Sequence, residues 1–581
     1  MNRGRTLAGE HVIVCGEAPL PSRVKAHDAL RLKLSGDDRN IDLEIVDISR
    51  KLATNVPDFV ADLVEIAAYI YCADQQIPRG GEGVMDVGAS WRRPFVFHIP
   101  VRAPGMWSAH PIVEALRRTL TFLSEDTYDF HFSKLTNPIP MQQYLKFEDG
   151  HVPAPGVDEV ILFSGGLDSL GGAVKEAVRE QRRLALVSHR STPKIFSRQK
   201  ELVKRLQDVC KTCPPIHVPV WVHKRGLSAR EYTQRTRSFL YAVLAFAVAH
   251  VFQLQRIRFY ENGVVSLNLP ISEQAIGARA TRTTHPQTLA GFAELFSNLI
   301  GADFSVENPF LWNTKAQVVN LIGEAGCGDL ISQSVSCMHT HEQTAEHPHC
   351  GRCSQCVWRR FATLASAYAE DDCSSLYGVD LLTGMRLEEK DRTLVESFIR
   401  VATDLGRMNE LQLVQTYGEI SRVLRHLAPL SSNQVAENLV GLFSEHASEV
   451  CRVMDKAIAE HASEIREGRL PASCAIVLAV AERYRTANSP EITSSKPKLR
   501  RSAVNLKPRR KQPEKSIQEI RARIRQMKGE NMSAQMMCKS LGNAPRPPAA
   551  AWAHLSWPEA WKSVHQNSVK VWLSRNSKIV K

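Results

Sequence analysis

The chain has 581 residues, 43% of them apolar and 23% charged, with a net charge of +13; this is the composition of a folded protein with room for about three or four domains, and it excludes a disordered or collagen-like chain. The longest apolar run, Phe239 to Phe252, is too short to span a bilayer and contains His250, so no membrane partner is expected. The thirteen cysteines are odd in number and mostly scattered, and no apolar stretch follows Met1-Asn2-Arg3-Gly4-Arg5, so a cytoplasmic location is expected rather than a secreted disulfide scaffold.

Residues 1–152 read as an N-terminal α/β accessory domain. Ile41, Leu43 and Ile45 alternate with Asp42 and Glu44, and Phe95, Phe97 and Ile99 alternate in the same way, as half-exposed strands require. Helices are expected from Asn55-Pro57 through Tyr71 and from Ser108-Pro111 through Leu123. Arg92, Arg93 and His98 read as solvated charges and a strand histidine. The Pro-Ala-Pro-Gly turn at 153–156 marks the boundary with the next domain.

From 153 to 372 strands and helices alternate, which predicts a doubly wound, mainly parallel α/β sheet. Its first strand, Glu159-Val160-Ile161-Leu162-Phe163, runs into Ser164-Gly165-Gly166-Leu167-Asp168-Ser169 and then a helix. Glycines that let backbone N–H groups approach an anion, hydroxyls at Ser164 and Ser169 and the positive end of a helix make a phosphate cradle. Asp168 would repel phosphate unless Mg²⁺ lay between them. The second strand, Leu184 to Val187, ends at Ser188-His189-Arg190, where such sheets gather ligands. A strand at Ile216–Val222 precedes Arg235 and Arg237 at the start of the apolar helix; cations there oppose the helix dipole, and an anionic ligand would compensate them. Glu261-Asn262-Gly263 ends the strand at Arg256–Tyr260 and suits either recognition of a polar ring, Mg²⁺ coordination or simple turn chemistry. Thr314 and Gln317 have capping-box spacing, which puts Lys315 in the first turn of a helix, close to any bound phosphate.

Cys337, Cys350, Cys353 and Cys356 form C-x₁₂-C-x₂-C-x₂-C, a spacing that closes on one tetrahedral Zn²⁺; four protein ligands leave no open position, so the site is expected to be structural. His339, His341, His347 and His349 crowd the same loop and could replace one ligand, and an iron–sulfur cluster is the rival occupant. Residues 373–487 read as a helical domain, with Val395, Phe398, Ile399, Ala402 and Leu405 on one face and Leu439, Leu442 and Phe443 on another. Residues 488–530 form a basic linker: Lys496 to Lys528 carries thirteen Lys/Arg against Glu514 and Glu519, a net +11 that leaves only +2 for the rest of the chain. Residues 531–581 form a small Trp-rich helical module with a helix start at Ser556-Trp557-Pro558-Glu559. Linker and module could hold nucleic acid, through 496–528, or an acidic protein.

The string S-G-G-x-D-S after an apolar strand resembles the signature of the PP-loop (adenine nucleotide alpha hydrolase-like) ATP pyrophosphatases. Together with Arg235-x-x-x-Phe239-Leu240, the helix start at Lys315 and the four cysteines, it resembles the QueC family of 7-cyano-7-deazaguanine synthases over about 157–370. That resemblance implies ATP bound by Ser164, Gly165, Gly166, Leu167, Asp168 and Ser169, with Ser188 and His189 near the adenine; catalytic roles for Asp168 and Ser169, for Arg235 near the substrate and for Lys315 near the phosphates; and zinc on the four cysteines. It implies a ligase-type enzyme that adenylates the carboxylate of a 7-carboxy-7-deazaguanine-like small molecule and passes the acyl group to ammonia. The long flanking segments look more like the QueC-like QatC proteins of anti-phage Qat operons, which implies proteins of the same defence operon as partners and a protein amine as the acceptor. A degenerate nucleotide-binding sensor or scaffold, and a PP-loop enzyme that modifies RNA, are the alternatives.

Overall fold

The structure, a computed structural model, describes residues 9–46, 57–79, 91–138, 145–146, 156–190, 193–227, 231, 234–267, 269, 282–418, 420–427 and 429–488. The basic linker and the Trp-rich module lie outside the described residues.

Eleven strands are described, in two sheets. The first holds β1 (His11–Cys15), β2 (Ala29–Leu32), β4 (Pro94–Val101) and β5 (Thr127–Lys134), all parallel, in the order β2-β1-β4-β5. Phe95, Phe97 and Ile99 turn their alternate positions into the core, as the period of two requires. The second sheet runs β11-β10-β7-β8-β9-β3-β6. Its strands are β3 (Ile41–Val46), β6 (Leu145–Lys146), β7 (Glu159–Leu162), β8 (Leu184–His189), β9 (Ile216–Lys224), β10 (Arg256–Arg258) and β11 (Ser305–Glu307).

The five strands from β7 to β11 pair in parallel, while β3 pairs antiparallel with β9, Ile41 opposite Lys224 and Ile45 opposite Val220. The N-terminal segment therefore divides between the two sheets, because β3 and β6 extend the edge of the second. Strand β9 also runs two residues past the expected Val222, since His223 and Lys224 find ladder partners in Asp42 and Ile41. Likewise β8 continues through Ser188 and His189, which lie opposite Pro219 and Val220 rather than in a turn.

Helices are α1 (Asp58–Gln76), α2 (His110–Ser124), α3 (Leu167–Val174), α4 (Pro193–Val209), α5 (Arg237–Val251), α6 (Gly263–Leu267), α7 (Pro286–Ile300), α8 (Lys315–Glu324), α9 (Ser354–Ala365), α10 (Glu389–Leu405), α11 (Ser432–Glu460) and α12 (Ala475–Asn488), with further short turns between them. Both faces of β7 are buried. Val160 and Leu162 pack with α1, α5, α7 and the first sheet, and Ile161 and Phe163 pack with α3, α4 and α8. A strand covered on both sides reads as a continuous apolar run, which is why Val160 to Phe163 show no alternation. Gly172 lets α3 close on the sheet, because a Cβ there would lie 2.1 Å from the Tyr260 ring. Helices α10, α11 and α12 share a third apolar core with α6 and α9, so the helical segment packs on those two helices. Among the described residues, no helix is long and apolar enough to cross a membrane.

Arg93 corrects the sequence reading as a solvated charge. It is 2% exposed and bonds to both Asp126 (2.7 Å) and Asp74 (2.5 Å), and Arg79 reaches the same Asp126 at 2.6 Å. Buried charges persist only when paired and hydrogen-bonded in this way. Asp74 also accepts hydrogen bonds from the N–H (2.9 Å) and hydroxyl (3.0 Å) of Thr236, so the cluster fastens the end of α1 to the segment entering α5. His98, as expected, is a strand histidine, stacked on His131 with ring centroids 4.6 Å apart.

Candidate active site and metal centre

In the five-strand parallel set the chain starts at β7, steps outward to β8 and β9, then returns to the other side of β7 with β10 and β11. Strand order thus reverses between β7 and β10, and ligand sites of open α/β sheets lie in the crevice beyond the carboxyl ends at such a reversal. The 164–169 loop leaves β7 there and Glu261-Asn262 follow β10.

The loop is shaped by its own hydroxyls and by two neighbouring segments. Gly165 has φ +82°, a left-handed conformation natural to glycine. Its carbonyl accepts from the Val335 N–H (3.0 Å), and Gln199 of α4 donates to the Ser164 carbonyl (3.0 Å). The Ser164 and Ser169 hydroxyls lie 3.0 Å apart, and Ser164 Oγ accepts from the Gly166 N–H at 3.2 Å. Leu167 N–H, in the first turn of α3, donates to Ser336 Oγ at 3.4 Å. Ser188 donates to the Phe163 carbonyl at 2.7 Å and so ties the end of β8 to the loop's entry.

Asp168 points from the first turn of α3 onto residues from two other segments. Lys315 forms a buried ion pair with it, and Asn262 Nδ2 donates to its Oδ1 at 3.3 Å. Glu261 Oε1 is 4.0 Å from the same ammonium and accepts from Asn262 Nδ2 at 3.4 Å. Burial, and then the Asp168 charge, push the Glu261 carboxyl well above its ordinary range. Lys315 is held there by helix α8, whose capping box joins Thr314 and Gln317 as the spacing predicted. Glu449 of α11 accepts from the Thr314 hydroxyl at 2.5 Å, which joins the helical segment to the same helix start.

The remaining expected site residues lie further along the sheet. His189 is 4% exposed, packed edge-on against Tyr71 of α1 (5.5 Å) and close to Tyr241 of α5 (5.5 Å); burial, with Arg237 adding to it, lowers its pKa to about 3. Arg235 is surrounded by Arg79, Asp74, Glu231 and Glu125, and burial lowers its pKa to about 10. The described contacts therefore bring Ser164, Gly165, Gly166, Leu167, Asp168, Ser169 and Lys315 together, and set Arg235 in the ionic cluster shared with the N-terminal segment. Glu261 and Asn262, whose place at a strand end suited a polar ring, Mg²⁺ or simple turn chemistry, join this group beside Asp168.

The four cysteines converge. Cys337, Cys350, Cys353 and Cys356 are all buried, their Sγ atoms lie within 4.8 Å of one another, and those of Cys350 and Cys356 are 3.8 Å apart. A tetrahedron of sulfurs about 2.3 Å from one zinc has S···S edges of about 3.8 Å, so the donor set fits a single such ion. Cys350 Sγ accepts from the N–H groups of Arg352 (3.4 Å) and Cys353 (3.3 Å), the local bonds that support a thiolate. His349 stacks on Tyr377 at 4.8 Å, and His347 bonds to the Ser375 carbonyl, while His339 stands near Glu342 at 3.3 Å. Four thiolates complete the shell without any of them. The cysteine segment also touches the 164–169 loop, since Ser336 and Val335, which bond to Leu167 and Gly165, immediately precede Cys337.

No curated protein and no solved structure matches the chain. Residues 272–367 match the model of a family described as queuosine biosynthesis protein QueC. The matched stretch holds Lys315 and all four cysteines, and it supports a QueC-like family for this part of the chain.

Proposed function

We propose that the chain is an ATP-dependent PP-loop enzyme that adenylates a carboxylate, with a 7-carboxy-7-deazaguanine-like acid as substrate. The observation that carries this reading is the convergence of Asp168, Glu261, Asn262 and Lys315 beside the 164–169 loop at the strand-order reversal. In this reading the polyphosphate lies on the N–H groups and hydroxyls of the loop at the start of α3, with Lys315 drawn from Asp168 toward it. A divalent ion such as Mg²⁺ would be held by Asp168 and Glu261 and would neutralise phosphate charge. A substrate carboxylate oxygen attacks the α-phosphorus, the bond to the bridging oxygen breaks, and pyrophosphate leaves with its electron pair. An amine then attacks the acyl carbon, loses a proton and expels AMP, giving an amide. Fixed cations and N–H donors around the α-phosphate are the means of stabilising the charge that develops there.

The finer reading follows the QueC-like stretch: ligase-type C–N bond formation in the cytoplasm, a QatC-like place in an anti-phage operon, and a protein amine from that operon or ammonia as acceptor. The domain plan of 1–152, 153–372, 373–487, 488–530 and 531–581 belongs to the same proposal. Incubating the protein with ATP, Mg²⁺, 7-carboxy-7-deazaguanine and ammonium should release AMP and pyrophosphate in equal amounts only when the acid is present. Pyrophosphate release that ignores the acid, or none with any carboxylate, sinks the reading.

A further inference from the structure

A second set of ligating atoms stands beside the four cysteines and takes no part in the tetrathiolate shell. One donor atom from each of His339, Glu342 and Cys350 lies within 4.8 Å of the other two. His339 Nδ1 is 3.3 Å from Glu342 Oε1, yet it is buried without a hydrogen-bond partner. The two oxygens of Glu342 divide their work. Oε2 accepts from Arg352 Nη2 at 2.5 Å, while Oε1 faces His339 Nδ1 and, at 3.6 Å, His341 Nε2. The oxygen that faces the imidazoles is therefore not the one that Arg352 holds.

Local chemistry fixes this corner. The Glu342 N–H donates to the His339 carbonyl at 3.0 Å, which brings residues 339 and 342 together at the two ends of one turn. The next residue, Gln343, anchors that turn: its Nε2 donates to the Cys337 carbonyl at 3.2 Å, and Arg198 of α4 donates to its Oε1 at 2.6 Å. Arg352 braces the other side, since its N–H donates to Cys350 Sγ at 3.4 Å and its side chain orients Glu342. Glu388 at 3.9 Å and Asp391 at 3.7 Å also face Arg352, so with Glu342 three carboxylates surround one guanidinium. Four thiolates around one Zn²⁺ would add a further net negative charge, and a cation placed here is attracted from both sides.

We propose that His339, Glu342 and Cys350 form a second metal site, for an exchangeable divalent ion of the zinc type, with the Cys350 thiolate bridging it to the ion of the four cysteines. Zinc takes imidazole nitrogen and carboxylate oxygen at about 2.0–2.2 Å, which sets a tetrahedral N···O edge of about 3.3 Å. His339 and Glu342 already stand at that separation. A set of one sulfur, one nitrogen and one oxygen suits zinc or cobalt over the all-oxygen shells of Mg²⁺ and Ca²⁺. Three protein ligands leave the fourth position to solvent, and the His339 and Glu342 side chains are 31% and 30% exposed, so an ion can enter and leave. The tetrathiolate ion holds the fold, and its neighbour binds more weakly and exchanges.

The test uses the full chain, loaded with zinc, dialysed against metal-free buffer and then titrated with Co²⁺, with metals counted by elemental analysis and cobalt followed by its visible spectrum. Wild type should keep its zinc and gain one cobalt per chain, with the ligand-field bands of a four-coordinate ion and a sulfur-to-cobalt charge-transfer band. His339→Ala and Glu342→Gln should each weaken cobalt binding at least tenfold while the zinc count and the melting temperature of the zinc-loaded protein stay as in wild type. Glu342→Gln keeps an acceptor for Arg352, so loss of cobalt there reports the metal ligand and not the ion pair. Cobalt that displaces the zinc instead of adding to it, cobalt bound without the sulfur band, or binding that both variants leave intact overturns the proposal. The zinc count before titration reads the four-cysteine site separately, and a chain without that zinc overturns the bridged site as well.

Discussion

Two clusters of charged ligating groups stand side by side and are built in opposite ways. Asp168, Glu261, Asn262 and Lys315 come from three segments that only the sheet brings together, and every one of them already has a protein partner. The cysteine cluster comes from residues 337–356, and the four sulfurs face one another across a space that fits one metal ion. Preorganisation by the fold lets Lys315 and Asp168 hold opposite charges in contact, whereas like-charged thiolates within 4.8 Å repel until a cation arrives. The first cluster is thus expected to be sensitive to substitution in activity and the second in stability.

The sharpest separation comes from activity. Asp168→Ala and Lys315→Ala should each lower ATP-dependent AMP formation on the order of 10³-fold, with unchanged circular dichroism. The double variant should cost little more than either single one, because the two groups act as a unit. Additive losses, or an Asp168→Ala protein that retains turnover, would break the contrast from this side.

For the thiolates, each Cys→Ser change should release metal and lower the melting temperature, with about one zinc per wild-type chain by elemental analysis. Structural zinc contributes on the order of 10 kcal/mol to segments of this kind. The hydrogen bonds that Val335 donates to Gly165 and Ser336 accepts from Leu167 predict that chelation also lowers turnover, in step with loss of structure. Variants that keep full thermal stability and lose only turnover, or purified protein carrying iron and acid-labile sulfide, would show that the site is not structural zinc.

The ionic cluster around Asp126 offers an intermediate case, a charged group preorganised by the fold but away from the phosphate loop. Asp126→Ala leaves the Arg79 and Arg93 guanidinium groups buried with fewer partners and should cost about 3–5 kcal/mol in urea unfolding. A loss below about 1 kcal/mol would mean that solvent reaches the cluster.

The smallest effect concerns Glu449, whose carboxyl burial raises from 4.5 to about 7 despite the Thr314 hydroxyl that favours its ionised form. A folded pKa above the unfolded value stabilises the protein fully below pH 4.5, and that contribution is lost as pH rises through about 7. Glu449→Gln should therefore match wild type near pH 4 and be more stable above pH 8, by on the order of 1–3 kcal/mol in pH-resolved melting. Parallel melting profiles across that range would place Glu449 in contact with water.

Local chemistry was legible without coordinates wherever neighbouring residues decide it. The buried strand and glycine loop at 159–169, the capping box of Thr314 and Gln317 and the knuckle spacing of the cysteines each depend on residues a few positions apart, so their patterns carry the geometry directly. The alternations at 41–45 and 95–99 likewise gave strands, but said nothing of which sheet each joins. Tertiary structure decided that β3 extends the second sheet, that Arg93 is buried on Asp74 and Asp126 rather than solvated, and that Glu261 and Asn262 are brought to Asp168 instead of serving the turn alone. These outcomes turn on contacts between residues 19 to 183 positions apart. A side chain's own neighbours in sequence fix its conformational preferences, while its partners, and with them the cost of burying its charge, exist only once the sheet has formed.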